Sequence, residues 1–327
     1  MDNQPTTAPD SEIRSFLILA VVLSVFLVLS VVLGLKIERK DVSSPKDTDT
    51  KPFPTVTLEA KATYVYDVRA QTILFAKNEH VRLPLASLTK MMSALVAEEA
   101  SPLYGVVTIS GEALRAEGDS GLYKGEKWRL KDLLDFSLIT SSNDGMRAVA
   151  LTLGALSKAN ATTEEILNDF VGAMNRKAGE LGLKNTYFGN ETGLDLSIAS
   201  TSVGQVGGSE VKGGAYGTAK DMGTLLAYAL GHHPELFQAT RETHATLKSL
   251  DNRPHMATNT NSIAAEIPGL LASKTGFTNT AGGNLVFIFD PELGRPIVVS
   301  ILGSTENGRF ADARILIKAV MEYIINN

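Results

Sequence analysis

The chain has 327 residues, of which 44% are hydrophobic and 20% charged, and this composition excludes a chain that is disordered throughout. Its 31 Lys and Arg residues against 36 Asp and Glu give a formal net charge of −5, which argues against a protein that coats nucleic acid, because such binding needs a basic face. The absence of cysteine excludes disulfides, cysteine-ligated metal centres and thiol nucleophiles.

Residues 16–35 form an uncharged run in which only Ser24, Ser30 and Gly34 interrupt the apolar pattern. As a helix this run would rise roughly 30 Å, the thickness of the hydrocarbon core of a bilayer. We therefore expect a retained transmembrane helix that follows a short N-terminal tail at residues 1–15. The alternatives are a buried core helix, which would usually carry a polar face, and a cleaved signal peptide, for which basic leader and cleavage site are missing.

Charged, proline-punctuated residues 36–56 follow the predicted span and have the composition of a linker, which leaves residues 57–327 as one folded domain. The charges that flank the predicted span argue against a location of the folded domain outside the cell. Arg14 precedes it, whereas Lys36, Arg39 and Lys40 follow it, so the positive-inside rule alone would place the domain in the cytoplasm.

The periodicity of residues 57–327 predicts strands near both ends of the domain and helices in its middle. In chain order we expect strands at 62–69 and 72–76, helices at 87–99, 130–139, 144–153, 163–181 and 218–230, strands at 272–274, 283–289 and 296–302, and an amphipathic helix at 309–325. This order predicts an α+β fold, in which a sheet is assembled from both ends of the domain and a helical subdomain is inserted between them.

Ser87 and Lys90 stand three residues apart at the start of the first predicted helix, and one helical turn brings such positions onto the same face. A serine hydroxyl is a poor nucleophile until a base takes its proton, and a desolvated, neutral lysine can be that base. Taken alone the pair is weak evidence, because a capping serine followed by a surface lysine gives the same pattern.

Two further motifs strengthen the case for a catalytic site. Residues 141–143 (Ser-Ser-Asn) put a hydroxyl and an amide on a tight turn between two predicted helices. Residues 274–276 (Lys-Thr-Gly) end an apolar strand and supply a positive charge, a hydroxyl and a glycine that lets the backbone approach a ligand closely. The three motifs in this order are the set found in serine acyltransferases that react with β-lactams.

The sequence resembles the low-molecular-mass penicillin-binding proteins, which are the serine D-alanyl-D-alanine carboxypeptidases of peptidase family S11. The resemblance extends from about residue 57 to the C-terminus. Beyond the three motifs, the matching segments are 82–86 (Arg-Leu-Pro-Leu-Ala), 125–126 (Gly-Glu), 133–134 (Leu-Leu), 181–186 (Leu-Gly-Leu-Lys-Asn-Thr), 193–195 (Gly-Leu-Asp), 218–219 (Thr-Ala), 221–222 (Asp-Met), 259–261 (Asn-Thr-Asn) and 281–282 (Ala-Gly).

This resemblance implies a β-lactamase/transpeptidase-like fold, with a five-stranded antiparallel sheet, flanking helices and a helical subdomain. It also implies a serine D,D-carboxypeptidase that removes the terminal D-alanine from peptidoglycan stem peptides through an acyl-enzyme and is inhibited by β-lactams. Neither a metal nor another cofactor is expected. Since the substrate is cell-wall peptide, the catalytic domain should lie outside the cell, held at the cell membrane by a single N-terminal span.

The resemblance also implies a role for each motif residue. Ser87 would be the nucleophile and Lys90 its base, while the oxyanion would lie between the backbone N–H groups of Ser87 and Phe277. Ser141 and Asn143 would transfer protons or bind the substrate amide. The strand residues Lys274, Thr275 and Gly276 would bind the substrate carboxylate.

Several alternatives stay open at this point. A D,D-endopeptidase of peptidoglycan cross-links would use the same residues. A class A β-lactamase would need a glutamate that activates water; Glu164 and Asn168 have a suitable spacing, but their helical context favours a surface pair, and Ser142 stands where Asp is wanted. A non-enzymatic penicillin-binding module is the weakest alternative. The five histidines lack metal-binding spacing and are interpreted as loop or surface residues.

The sequence departs from the family pattern at three places. Ser142 stands where Gly or Ala is usual, and residues 201–217 form a long glycine-rich stretch, so we expect a different local loop there. The chain also ends soon after the last predicted helix, which suggests that the C-terminal β-domain and trailing amphipathic anchor of many family members are missing. The N-terminal span would then replace that anchor.

Overall fold

A computed structural model describes residues 51–157, 160–195, 205–206, 209–210 and 214–327. The predicted tail, the predicted membrane span, residues 36–50 of the predicted linker and most of the glycine-rich stretch lie outside the described residues. Among the helices that are described, none has both the length and the apolar composition that a membrane crossing requires.

The described helices and strands follow the predicted order closely. The strands are β1 (Ala62–Asp67), β2 (Thr72–Lys77), β3 (Leu83–Pro84), β4 (Val106–Thr108), β5 (Lys127–Arg129), β6 (Tyr187–Phe188), β7 (Gln205–Val206), β8 (Ser209–Glu210), β9 (Ala215–Gly217), β10 (His244–Lys248), β11 (Pro254–Thr258), β12 (Leu270–Thr278), β13 (Gly282–Phe289) and β14 (Ile297–Ser304). The helices are α1 (Thr89–Ala100), α2 (Leu130–Thr140), α3 (Asn143–Gly154), α4 (Thr163–Glu180), α5 (Ala219–His232) and α6 (Gly308–Asn326).

The predicted antiparallel sheet is confirmed. Its five strands lie in the order β12-β13-β14-β1-β2, so the two ends of the domain meet where β14 pairs with β1. In this pairing Ala62 lies opposite Leu302 and Asp67 lies opposite Ile297. The strand β12, which carries residues 274–276, is therefore at one edge of the sheet, next to the helical subdomain.

The central strands of the sheet are buried on both faces, because helices cover each of them. Alternate residues of β14 enter opposite cores: Val299 and Ile301 pack with α6, whereas Val298 and Leu302 pack on the side of α5. All eight residues of β14 are buried, and this explains why the strand is a nearly continuous apolar run in the sequence.

The first helix of the subdomain, α1, packs against α3, α4 and α5. The predicted buried side of Met91, Met92, Leu95 and Val96 is confirmed. Nearly the whole helix is buried, however, and its buried residues include the polar side chain of Lys90. An amine in this position needs partners of its own, because burying an unpaired charge is costly.

The first described residues, which precede β1, contact the last helix and the second strand. The ring of Phe53 stacks on that of Phe75 at 5.6 Å and lies 5.9 Å from that of Tyr323 on α6. The backbone N–H of Lys51 donates to Asn327 Oδ1 at 2.7 Å. Residues 51–56, which the sequence assigns to the predicted linker, thus contact the body, and Phe53 and Val56 pack against its core.

Candidate active site

Ser87 lies in a short 3₁₀ turn, Ala86–Leu88, that leads directly into α1. The turn is held by the sheet, because Asn284 on β13 donates to the carbonyl of Leu85 at 3.1 Å. It brings the Ser87 hydroxyl within 2.9 Å of the amine of Lys90. The predicted helix start is thus correct in place, although its first turn is tighter than an α-helix.

Lys90 is fully buried, and its amine lies within hydrogen-bonding distance of three oxygen atoms. These are Ser87 Oγ at 2.9 Å, Asn143 Oδ1 at 2.7 Å and the carbonyl oxygen of Thr192 at 2.9 Å; the neutral amine donates to the last two and can accept from the hydroxyl of Ser87. Burial lowers the pKa of Lys90 from its ordinary value of 10.5 to about 7, while the negative charge of Glu191 opposes this shift. Near neutral pH a large fraction of Lys90 is therefore neutral and able to take the hydroxyl proton of Ser87.

The turn between α2 and α3 carries the second motif. Ser141 adopts the left-handed conformation, with φ 61°, and Ser142 accepts a hydrogen bond from Gly145 N at 2.9 Å, which caps α3. Asn143 accepts from Lys90 through Oδ1 and donates through Nδ2 to the carbonyl of Glu117 at 2.7 Å. The amide of Asn143 is therefore fixed in one orientation beside the serine–lysine pair.

The third motif lies on β12, across from this turn. The amine of Lys274 is buried and donates to Ser141 Oγ at 2.9 Å and to the carbonyl of Thr275 at 2.8 Å. Burial, together with the positive charges of Lys90 and Arg309, holds the pKa of Lys274 well below its ordinary value. A ligand carboxylate in contact with Lys274 would oppose these effects and favour its charged form.

Gly276 and Phe277 continue the same strand past Ser87. A Cβ atom at Gly276 would lie 2.8 Å from the carbonyl oxygen of Leu85 and 3.2 Å from the backbone nitrogen of Ser87, so only glycine lets β12 approach the turn this closely. The side chain of Phe277 is 40% exposed. The hydroxyl of Thr275 shares a 2.5 Å hydrogen bond with that of Thr260.

The structure thus brings all eight predicted site residues to one place at the edge of the sheet. They lie around two amine–hydroxyl pairs, one formed by Lys90 with Ser87 and the other by Lys274 with Ser141. Asn143 joins them, because it follows Ser141 by two residues and contacts Lys90.

Sequence analysis missed the loop that closes the back of the site. Thr192 offers its carbonyl to Lys90, and Asn190 Oδ1 shapes the loop by accepting from the backbone N–H of Thr192 at 3.1 Å and of Gly193 at 2.6 Å. Gly193 has φ +82°, and a Cβ there would lie 1.9 Å from the carbonyl oxygen of Ala86. The matching Gly-Leu-Asp segment was a signal for this loop, but it did not indicate a contact with Lys90.

Arg309 was predicted only as the first residue of the last helix, yet it supports the third motif. Its guanidinium, buried at the start of α6, donates to the carbonyl of Gly276 at 2.7 Å. It also lies 6.0 Å from the centre of the Phe277 ring. Arg309 therefore holds the end of β12 and adds positive charge near Lys274.

The alternative residues weighed from the sequence lie elsewhere. Glu164 and Asn168 are both exposed on α4, as a surface pair would be. The interpretation of the histidines is wrong for His255, which is 8% exposed and lies 2.7 Å from the buried carboxylate of Glu126. In the parts of the chain that the structure describes, no three potential metal ligands of the His, Cys, Asp or Glu type come together.

A buried lysine on a serine hydroxyl, at the edge of an antiparallel sheet flanked by helices, defines a class of proteins with an activated serine nucleophile. Residues 46–304 match the family model of the D-alanyl-D-alanine carboxypeptidases, Peptidase_S11. The chain belongs to this family.

The relatives include both carboxypeptidases and endopeptidases. The chain is 30% identical to D-alanyl-D-alanine carboxypeptidase DacF of Bacillus subtilis over 230 residues, which are 68% of this chain but only 52% of that protein. It is also 30% identical to a D-alanyl-D-alanine endopeptidase of Pseudomonas aeruginosa over 241 residues, 70% of this chain and 66% of the relative. The first of these matches thus spans about half of the relative's length.

The fold is shared with solved structures. The Streptomyces K15 DD-transpeptidase superposes with a TM-score of 0.68 at 24% identity, over 83% of this chain and 98% of that one. This likeness identifies a penicillin-binding, DD-peptidase type of fold.

Proposed function

We propose that this protein is a serine D,D-carboxypeptidase that releases the terminal D-alanine of peptidoglycan stem peptides through an acyl-enzyme. The observation that carries the proposal is the 2.9 Å contact between the hydroxyl of Ser87 and the buried amine of Lys90, whose pKa is lowered to about 7. Membership of the carboxypeptidase family supports the substrate class.

In the proposed reaction, Ser87 Oγ attacks the carbonyl carbon between the two D-alanines while Lys90 takes the hydroxyl proton. The oxyanion would form beside the backbone N–H groups of Ser87 and Phe277. The carbon–nitrogen bond then breaks, and the nitrogen of the leaving D-alanine receives a proton from Lys90, with Ser141 as the proposed relay. Water next attacks the ester, with Lys90 again as the base, and frees Ser87.

The strand residues would fix the substrate during these steps. Lys274 and Thr275 offer an amine and a hydroxyl to the terminal carboxylate, and Asn143 offers its fixed amide to the substrate backbone. A charged terminal carboxylate suits this site, since buried Lys274 forms no ion pair with a carboxylate of the residues that the structure describes. These proposed contacts support, as the substrate, a peptide that ends in a free D-alanine carboxylate.

A D,D-endopeptidase of peptidoglycan cross-links is the second candidate, favoured by the 30% identity to a protein of that name. The serine and lysine would act in the same way, and only the leaving group would differ. Incubation with a D-Ala-D-Ala peptide and with a cross-linked dimer separates the two activities. An endopeptidase would cleave the dimer and release a peptide with a free amine, but it would leave the terminal D-alanine of the D-Ala-D-Ala peptide in place.

Benzylpenicillin tests the proposed function directly. The protein should gain the mass of one penicilloyl group, because the strained lactam resembles the D-Ala-D-Ala amide, and the adduct should persist for minutes because its tethered leaving group blocks water. Ser87→Ala should abolish the adduct, whereas Ser101→Ala, which removes a hydroxyl just beyond α1, should not. A diacyl peptide that ends in D-Ala-D-Ala should be hydrolysed with release of D-alanine.

Fast turnover of penicillin without a trapped adduct, together with no D-alanine release, would instead identify a serine β-lactamase. An adduct on both the wild type and Ser87→Ala would remove Ser87 from the role of nucleophile. The intact mass and an assay of free D-alanine are sufficient to separate these outcomes.

We further propose that residues 16–35 anchor the protein in the cell membrane as a single span, with the catalytic domain outside the cell. The apolar run supports the span, and the cell-wall substrate supports the orientation, against the local charge bias. Deletion of residues 1–40 should then give a soluble, folded protein that still forms the penicilloyl adduct. An insoluble or inactive product, compared with active full-length protein in detergent, would contradict this assignment.

A further inference from the structure

We propose that Glu191 is a positioning residue that holds the site around Lys90 together and controls the pH above which Ser87 is acylated. The inference rests on the proposed function, because it takes Lys90 as the base. Glu191 does not touch the serine or the expected substrate contacts; it acts through the lysine.

The backbone next to Glu191 binds α1 at two positions one turn apart. The carbonyl of Glu191 accepts from Ser93 Oγ at 2.6 Å, and the next carbonyl, that of Thr192, accepts from the amine of Lys90 at 2.9 Å. Since Lys90 and Ser93 are three residues apart, both contacts lie on the same side of the helix. The position of residues 191–192 is therefore directly coupled to the position of the base.

The side chain of Glu191 ties this loop to α3. Its carboxylate is buried and lies 3.3 Å from Nη1 of Arg147, which is one turn beyond Asn143, another partner of Lys90. Arg147 also lies 3.8 Å from the carboxylate of Glu112. A buried carboxylate is costly to maintain, and one whose charge acts on a base with a shifted pKa is a candidate functional group.

The charges around Lys90 give Glu191 a definite electrostatic effect. The charged groups on the elements around the site are Arg147 and Asp144 on α3, which packs against α1, Lys274 on β12, which Lys90 repels, and Arg309 at the start of α6, which also repels Lys274. Burial lowers the pKa of Lys90, and the negative charge of Glu191 is the influence that raises it. Asp144 contributes less negative charge at acidic pH, because burial raises its own pKa. Without the Glu191 charge, Lys90 would lose its proton at a lower pH and would be a weaker base.

The test is the rate of acylation by a fluorescent penicillin from pH 5 to 9, measured on the full chain in detergent. In the plot of acylation rate against pH, the acid limb is the part where the rate rises as Lys90 loses its proton. For Glu191→Gln we expect this limb to move to lower pH by roughly half a unit or more. We also expect the constant rate at high pH to fall, because the weaker base draws the proton less strongly. A purely structural role would lower the plateau and the melting temperature without moving the limb.

Two further variants control for charge and size. Glu112→Gln removes the other carboxylate beside Arg147 and should leave the acid limb at its wild-type pH. Glu191→Asp keeps the negative charge, so its acid limb should also lie at the wild-type pH. Glu191→Met removes the charge with an apolar side chain of similar size and should shift the limb as the glutamine does. Circular dichroism and thermal unfolding verify that each variant is folded.

Each outcome has a clear meaning. An unmoved limb in folded Glu191→Gln or Glu191→Met, or an equal shift in Glu112→Gln, overturns the inference but leaves the proposed function standing. If neither charge-removing variant folds while Glu112→Gln does, Glu191 serves folding and the inference is overturned. A wild type that is not acylated at any pH overturns the proposed function and this inference with it.

Discussion

Replacing Lys90 with arginine should lower the rate of acylation by penicillin by about 10²- to 10⁴-fold, the usual contribution of a general base. The guanidinium keeps the positive charge but stays protonated at all practical pH values, so it cannot take the hydroxyl proton. The wild-type rate should rise with pH through about 7, as Lys90 loses its proton. The variant should lack this rise. Stopped-flow measurements of acylation across the pH range would show both effects.

The control for this experiment is Lys131→Arg, which makes the same change at the partly exposed lysine that pairs with Asp135 on α2. Its rate and pH profile should match those of the wild type. Lys90→Gln provides a second variant, in case the larger guanidinium does not fit the fully buried position. A folded Lys90 variant that acylates at a rate close to that of the wild type would assign the base to another group.

Gly193→Ala should strongly reduce both stability and acylation. The new Cβ would lie 1.9 Å from the carbonyl oxygen of Ala86, and the backbone conformation at φ +82° disfavours any side chain. Because Ala86 is part of the turn that carries Ser87, relief of the clash must move the nucleophile or the Thr192 carbonyl. We expect a loss of roughly 3 kcal/mol in the free energy of unfolding and of at least about tenfold in the acylation rate.

Gly179→Ala is the matched control for this variant. Gly179 is a helical residue of α4 where a Cβ would meet nothing within 4 Å, so alanine should be neutral or slightly stabilising there. Denaturant unfolding would measure both variants. If Gly193→Ala were as stable and as active as Gly179→Ala, the loop at residues 191–193 would not constrain the serine turn.

The main sheet and helices could be predicted because their apolar patterns are long and regular. The hairpin of β10 and β11 was missed because its pattern is inverted: in β11, His255 and Ala257 are buried, whereas Met256 is 77% exposed. His255 is stabilised inside by Glu126 and by the ring of Trp128, whose centre is 5.0 Å away. Such a long-range pairing leaves no local trace in the sequence, which also explains the wrong interpretation of His255.

The candidate site shows the same division between local and distant information. Ser87 and Lys90 were predicted to meet because one helical turn is enough to bring them together. The Thr192 partner of Lys90 is a backbone carbonyl, which every residue type possesses, so the sequence could not single it out. Arg309 contacts Gly276 across a gap of 33 residues, and only the packing of α6 on the sheet brings them together.

The burial of Lys90 links catalysis to the conformational stability of the whole domain. The pKa of Lys90 is about 7 in the folded protein, against 10.5 for an ordinary lysine. Below pH 7 Lys90 is therefore charged in both the folded and the unfolded state, and folding bears the full cost of burying this charge. Between pH 7 and 10.5 the unfolded chain holds a proton that the folded protein has released, so the contribution of Lys90 to the free energy of unfolding rises with pH. A fall in pH from about 10.5 to about 7 would therefore weaken the fold through the same amine whose protonation stops it from acting as the base for Ser87, and below pH 7 Lys90 would make no further change to the stability.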